Sequence, residues 1–197
     1  MRNVKGYGKF WWYGGMAALC VAVPLQSAFP QTPKCNLGDL DACHTTNQLV
    51  WAQGFTDKVE KFLGTEPGNF LYSKPNVLAS NDAMEVLGGP PDRPVSVADG
   101  MTLFSACRSH SCSEKGAIFF DVPGNVVAIG VAHFACMSGR CDDDYTLTIF
   151  IRDETMRVKA TSILSNWLNE KRQEEQQTYP NLRIAKIGKV AVRLVRD

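Results

Sequence analysis

The chain has 197 residues, 45% hydrophobic and 21% charged, with a formal net charge of +1. That length supports one domain with a substantial core, and that composition excludes a disordered or fibrous chain. A charge this close to zero supplies no basic field for nucleic acid, so no nucleic-acid partner is expected.

The first residues differ from the rest. Arg2, Lys5 and Lys9 precede Phe10-Trp11-Trp12-Tyr13, an apolar stretch runs from Met16 to Leu25, and Ser27-Ala28 follow; no acid occurs before Asp39. A positive head, a short apolar run and small residues make the order of a secretory signal. Cleavage near Ala28 is expected, although Gln26 stands where a small residue is usual, leaving residues 29–197 as a single domain. Removing Arg2, Lys5 and Lys9 and no acid takes the net charge from +1 to −2. An uncleaved anchor is the competing reading, but the apolar run is short for a membrane span. Cys20 follows Leu19, a poor fit to the small residue that lipidation needs.

Six of the seven cysteines lie beyond this segment, in local couples: Cys35 with Cys43, Cys107 with Cys112, Cys136 with Cys141. An even number in an exported chain reads as a disulfide framework, although sequence alone admits many connectivities. Neighbour pairing is expected because each couple brackets turn-like residues. Closing so short a loop contributes about 2 kcal/mol in the chain-entropy model, so such staples shape loops more than they hold a fold. A zinc site is the alternative, and the C-x-x-C spacing of zinc ligands is absent.

In chain order, residues 29–44 are rich in Pro, Asn, Gly and Asp and read as a stapled loop. From Thr46 the spacing of Trp51, Phe55, Val59 and Phe62 predicts one helix, ended by Gly64, with Trp51 in the core. A short helix follows, capped by Ser80 or Asn81, with Ala83, Val86 and Leu87 inward and Gly88-Gly89-Pro90-Pro91 stopping it. Asp99-Gly100 joins Val95–Val97 to Met101–Ala106 as a hairpin. Val122-Pro123-Gly124-Asn125 joins Ala117–Asp121 to Val126–Phe134 as a second. Thr146–Arg152 reads as a strand. Glu154–Gln177 reads as a helix with Met156, Ala160, Ile163, Trp167 and Leu168 inward and a solvated polar tail from Asn169. Ile184–Val195 reads as a half-buried last strand. Helices, then a strand meander, then a helix and a strand define an α+β protein.

Between two predicted strands lies Cys107-Arg108-Ser109-His110-Ser111-Cys112. Bridged, it would be a rigid polar protrusion displaying His110 with Arg108 beside it. Such a loop has little freedom left to lose on entering a cleft, and imidazole suits a cleft lined by carboxylates. A stapled hairpin end with an incidental exposed histidine is an equally simple reading. Catalysis by either cysteine with His110 is disfavoured, because an oxidised cysteine is no nucleophile.

Ser105-Ala106 before this loop, the loop itself, the strand Ala117–Phe120, a turn and Val126–Val131 resemble the inhibitor of vertebrate lysozyme (Ivy) family. That family carries a C-K-P-H-D-C loop after a strand ending in Ser-Ala. Arg108 keeps the charge of the family's Lys, while Ser109 and Ser111 stand in place of its Pro and Asp. The likeness is good over about Leu103–Val131. It implies a single antiparallel sheet with helices packed on one face, a periplasmic location in a Gram-negative bacterium, and dimerisation. It also implies that residues 107–112 enter the active-site cleft of a lysozyme or other peptidoglycan-cleaving enzyme, with His110 meeting the catalytic carboxylates. No catalytic residue, cofactor or metal is expected.

Other candidates are weaker. Cys136-Met-Ser-Gly-Arg-Cys141 with Asp142-Asp143-Asp144 could be a second stapled loop for a basic partner or a calcium site. A solvated acidic turn is the simpler reading. His133 lies in an apolar strand and reads as a satisfied sheet residue; His44 has no evident partner. Three hypotheses stand: a hydrolase inhibitor or immunity protein, an envelope module reusing the fold for another partner, and a metal- or thiol-dependent enzyme.

Overall fold

A computed structural model describes residues 34–71, 77–137 and 140–196. These belong to one compact unit, Pro33–Asp197, and the expected signal segment lies outside the described residues. Within the described residues no helix is long and apolar enough to cross a membrane.

Three short helices come first: α1 (Thr46–Val50), α2 (Phe55–Leu63) and α3 (Ala79–Leu87). The Thr45 hydroxyl caps α1 by accepting from the Gln48 N–H at 3.3 Å, and the Gln48 side chain accepts from the His44 N–H at 2.7 Å. The single helix expected from Thr46 is broken between α1 and α2. Gly54 sits at φ +81°, a left-handed conformation that suits glycine, and it turns the chain. The turn rotates Phe55, Val59 and Phe62 into the core and leaves Trp51 79% exposed, not buried as its spacing predicts. The cap of α3 also differs: Leu78 is the N-cap and Ser80 is buried inside the first turn.

The strands are β1 (Val95–Ser96), β2 (Thr102–Arg108), β3 (Ser111–Phe120), β4 (Val126–Met137) and β5 (Arg140–Ile151). Helix α4 (Arg157–Thr178) follows, then β6 (Ile187–Leu194). Together they make one six-stranded sheet in sequence order. Strands β1 to β5 form an antiparallel meander, and β6 runs parallel to β5. Parallel pairing is the outcome of a crossover connection, which α4 supplies. The fold is α+β with a mostly antiparallel sheet.

Helices cover both faces of that sheet, which departs from the one-sided packing the family likeness implies. Phe104, Ile118, Ile129 and Phe150 lie in register across four strands and pack with Phe55, Val59, Val86 and Leu87. Their neighbours Leu103, Phe119, Ala128 and Ile151 face the other way and pack with Leu164 and Trp167 of α4. A sheet buried on both sides needs apolar residues at every position, which is why Ala117–Phe120 is an unbroken apolar run. Two further expectations are corrected. Strand β5 begins at Arg140, so Asp142, Asp143 and Asp144 lie in a strand and not in a turn. The tail of α4 is not wholly solvated: Lys171 and Arg172 are partly buried and bonded to other elements.

Candidate functional site: a braced hairpin tip

Disulfides join Cys35 to Cys43, Cys107 to Cys112 and Cys136 to Cys141. The second closes the tip of the β2–β3 hairpin. Arg108 pairs with Ser111 across the strands, so Ser109 and His110 alone make the turn. His110 holds φ at +63°, a left-handed conformation that histidine adopts more readily than most residues. Both Ser109 and His110 are exposed, and Ser111 is half-buried with its hydroxyl 3.3 Å from that of Ser113.

The base of the tip is held from both faces of the sheet. On the side of α3, the Gly88–Pro91 segment lies directly against the turn. A Cβ on Gly89 would stand 2.0 Å from the Cys107 carbonyl oxygen and 2.6 Å from the Ser109 nitrogen, so only glycine fits there. The Cys107 N–H donates to the Pro90 carbonyl at 3.2 Å, and the Asp92 N–H to the Ser105 carbonyl at 2.9 Å. The Thr46 hydroxyl donates to that same Ser105 carbonyl at 2.6 Å, tying α1 to β2. The Arg108 side chain turns back onto this face and is only 15% exposed. Its guanidinium meets Glu114 at 2.5 Å and Glu85 of α3 at 3.3 Å. Arg108 is therefore a brace, and it is not displayed beside His110 as the spacing suggests.

On the opposite face Lys115, 5% exposed, performs the matching task. Its ammonium pairs with Glu175 of α4 and donates to the Cys112 carbonyl. A buried ammonium is tolerable only with such partners. Beside it, Lys171 of α4 reaches Asp92 at 3.0 Å, and Asp92 accepts from the Ser105 hydroxyl at 2.6 Å.

Sequence reasoning located the loop but missed Glu85, Gly89, Glu114, Lys115 and Glu175. The available signal was Glu114-Lys115, adjacent opposite charges leading into an apolar strand. On alternating faces of β3, each had to find a counter-ion on a different side of the sheet.

The remaining candidates fall elsewhere. His133 is buried in β4 with Nε2 3.0 Å from the Thr148 hydroxyl and its ring 4.8 Å from that of Phe70. Burial lowers its pKa from 6.5, so the ring is neutral near pH 7. Asp143 and Asp144 meet Arg183 at 3.3 and 3.4 Å. His44 is exposed at the cap of α1. Asp82 of α3 accepts from the Phe70 N–H at 2.8 Å, and its burial raises its pKa. Comparison of the chain with protein-family models, curated proteins and solved structures finds no match.

Proposed function

We propose that this chain is an exported, periplasmic inhibitor or immunity protein that plugs the cleft of a lysozyme-like peptidoglycan hydrolase with residues 107–112. The observation that carries the reading is His110 at the exposed end of a two-residue turn, disulfide-closed and held by ion pairs on both faces. Ordering that loop before binding removes an entropy cost that a free loop would meet in the complex. The carboxyl groups of a retaining glycosidase stand about 5 Å apart, a gap that an imidazole ring with a nitrogen on each side can bridge. Three disulfides support an oxidising compartment. Homodimerisation belongs to the same proposal.

Inhibition assays against lysozymes of several structural types test it. The intact protein should inhibit at least one. His110→Ala should weaken that inhibition about a hundredfold, a loss of about 2.7 kcal/mol, with its melting unchanged. Failure against every lysozyme would overturn the reading. A second reading is favoured by Ser109 and Ser111, which stand where the resembled family has Pro and Asp. It makes the loop a contact of an envelope binding or assembly module, and capture of a partner other than a hydrolase through His110 would establish it.

A further inference from the structure

A cavity of about 630 Å³ opens on the α3-facing side of the sheet, beyond the end of the helical cover. Along that face the rows change from apolar to polar. Ile129 and Phe150 lie under the helices, and His133, Thr146 and Thr148 continue the same side toward the hairpin tips. These three form the floor, and they are 6%, 7% and 2% exposed. His133 Nε2 and the Thr148 hydroxyl bond each other, but among the described residues the buried His133 Nδ1 has no partner, and burying such an atom carries a cost unless something bonds it.

Three cations stand around this floor: Arg140, Lys189 and Arg193. Lys189 is the β6 partner of Thr146, and Arg193 is the β6 partner of Phe150. The Arg193 guanidinium is fixed over the Phe70 ring at 5.0 Å, with Nη1 donating to the Pro67 carbonyl at 3.0 Å. Among the described residues none of the three cations forms an ion pair. Two carboxylates also line the cavity, Glu114 and Asp142. Glu114 shares Arg108 with Glu85, so the lining carries three positive charges against two negative ones, and only Asp142 of those two lacks a cation of its own. Unneutralised cations beside a poorly hydrated floor concentrate a positive potential there.

We infer that this cavity, floored by His133, Thr146 and Thr148 and ringed by Arg140, Lys189 and Arg193, binds a small anion bearing carboxylate or phosphoryl groups. The cations neutralise the ligand's charge, and the floor supplies hydroxyl and imidazole contacts to its polar body. The volume suits a ligand of ordinary metabolite size. The inference does not rest on hydrolase inhibition: none of residues 107–112 lines the cavity, and Arg108 bears on it only through Glu114.

The test is an NMR titration of the disulfide-intact protein, labelled with ¹⁵N-histidine, with citrate and separately with inorganic phosphate. His133 should shift saturably with at least one anion, while His44 and His110 stay still. A citrate response alone defines a carboxylate ligand, and a phosphate response alone a phosphoryl ligand. Lys189→Gln, at an exposed position on β6, should weaken that binding about tenfold. Thr146→Val should weaken it as well, while His110→Ala should leave it unchanged. A His133 resonance unmoved by both anions, a shift that never saturates, or Lys189→Gln and Thr146→Val binding like the parent would each overturn the inference.

Discussion

The β2–β3 and β4–β5 hairpins are each closed near the tip by a disulfide of sequence separation 5, yet they are supported differently. Beneath Cys107–Cys112 lie a backbone-to-backbone contact at Gly89, the shielded Arg108–Glu114 pair, and a buried Lys115 paired with Glu175 of α4; the reach of Arg108 to Glu85 of α3 is partly exposed. Beside Cys136–Cys141 the carboxylates of Asp142 and Asp143 are exposed, and the ion pair from Asp143 to Arg183 is a surface one. Surface pairs contribute at most about 1 kcal/mol, whereas breaking a buried one costs several times that. A short staple alone therefore does not mark a functional tip. The buried charge beneath Cys107–Cys112 is what sets the two tips apart.

That contrast can be broken most forcefully at Lys115. Lys115→Met should destabilise the protein by about 3 kcal/mol in urea denaturation, because it strands Glu175 and the Cys112 carbonyl. Lys115→Met with Glu175→Leu should recover much of that loss. If the double variant stays as unstable as the single one, the pair is not the clamp. Gly89→Ala comes next, at about 2 kcal/mol, because its methyl would overlap the Cys107 carbonyl. It should also weaken the proposed inhibition, since the turn must shift to admit it.

Opening the two staples sharpens the comparison further. Cys136→Ser with Cys141→Ser should cost about 2 kcal/mol and leave the proposed inhibition intact. The matching change at Cys107 and Cys112 should cost similarly and abolish the proposed inhibition. Equal loss of potency in both would erase the distinction drawn between the tips.

The smallest effect is one of pH. His133 has a folded pKa below its unfolded 6.5, so the unfolded chain takes up the proton first. Stability should therefore fall as pH drops below 6.5 toward the folded value, and His133→Gln should flatten that part of a melting-temperature profile.

What could be read from the chain was local. Ala117–Phe120, Val126–Phe134 and Thr146–Ile151 announce strands by their own residues, and Cys107–Cys112 announces a closed turn. Trp51 was misleading because its four-residue spacing to Phe55 continues a helical period that Gly54 interrupts. Which face α4 would cover was invisible, since an unbroken apolar strand serves two faces equally. The braces were invisible for a related reason: Glu175 lies 60 positions from Lys115, and Arg108 lies 23 from Glu85. Nothing in either neighbourhood announces the other.

The parallel crossover through α4 also separates the tip from its clamp along the chain. Strands β2 and β3 and both cysteines of the tip are local in sequence, whereas Glu175 lies 60 positions beyond Lys115. The β6 strand comes later again and can join β5 only after α4 has folded back. The strands and staple of the tip are thus complete in sequence before residue 157, and the segment 157–197 supplies the clamp on one of its faces. A chain stopped before α4 would carry the loop and its histidine but leave Lys115 without its counter-ion and one face of the sheet without its helix, a state suited to recognition by proteases.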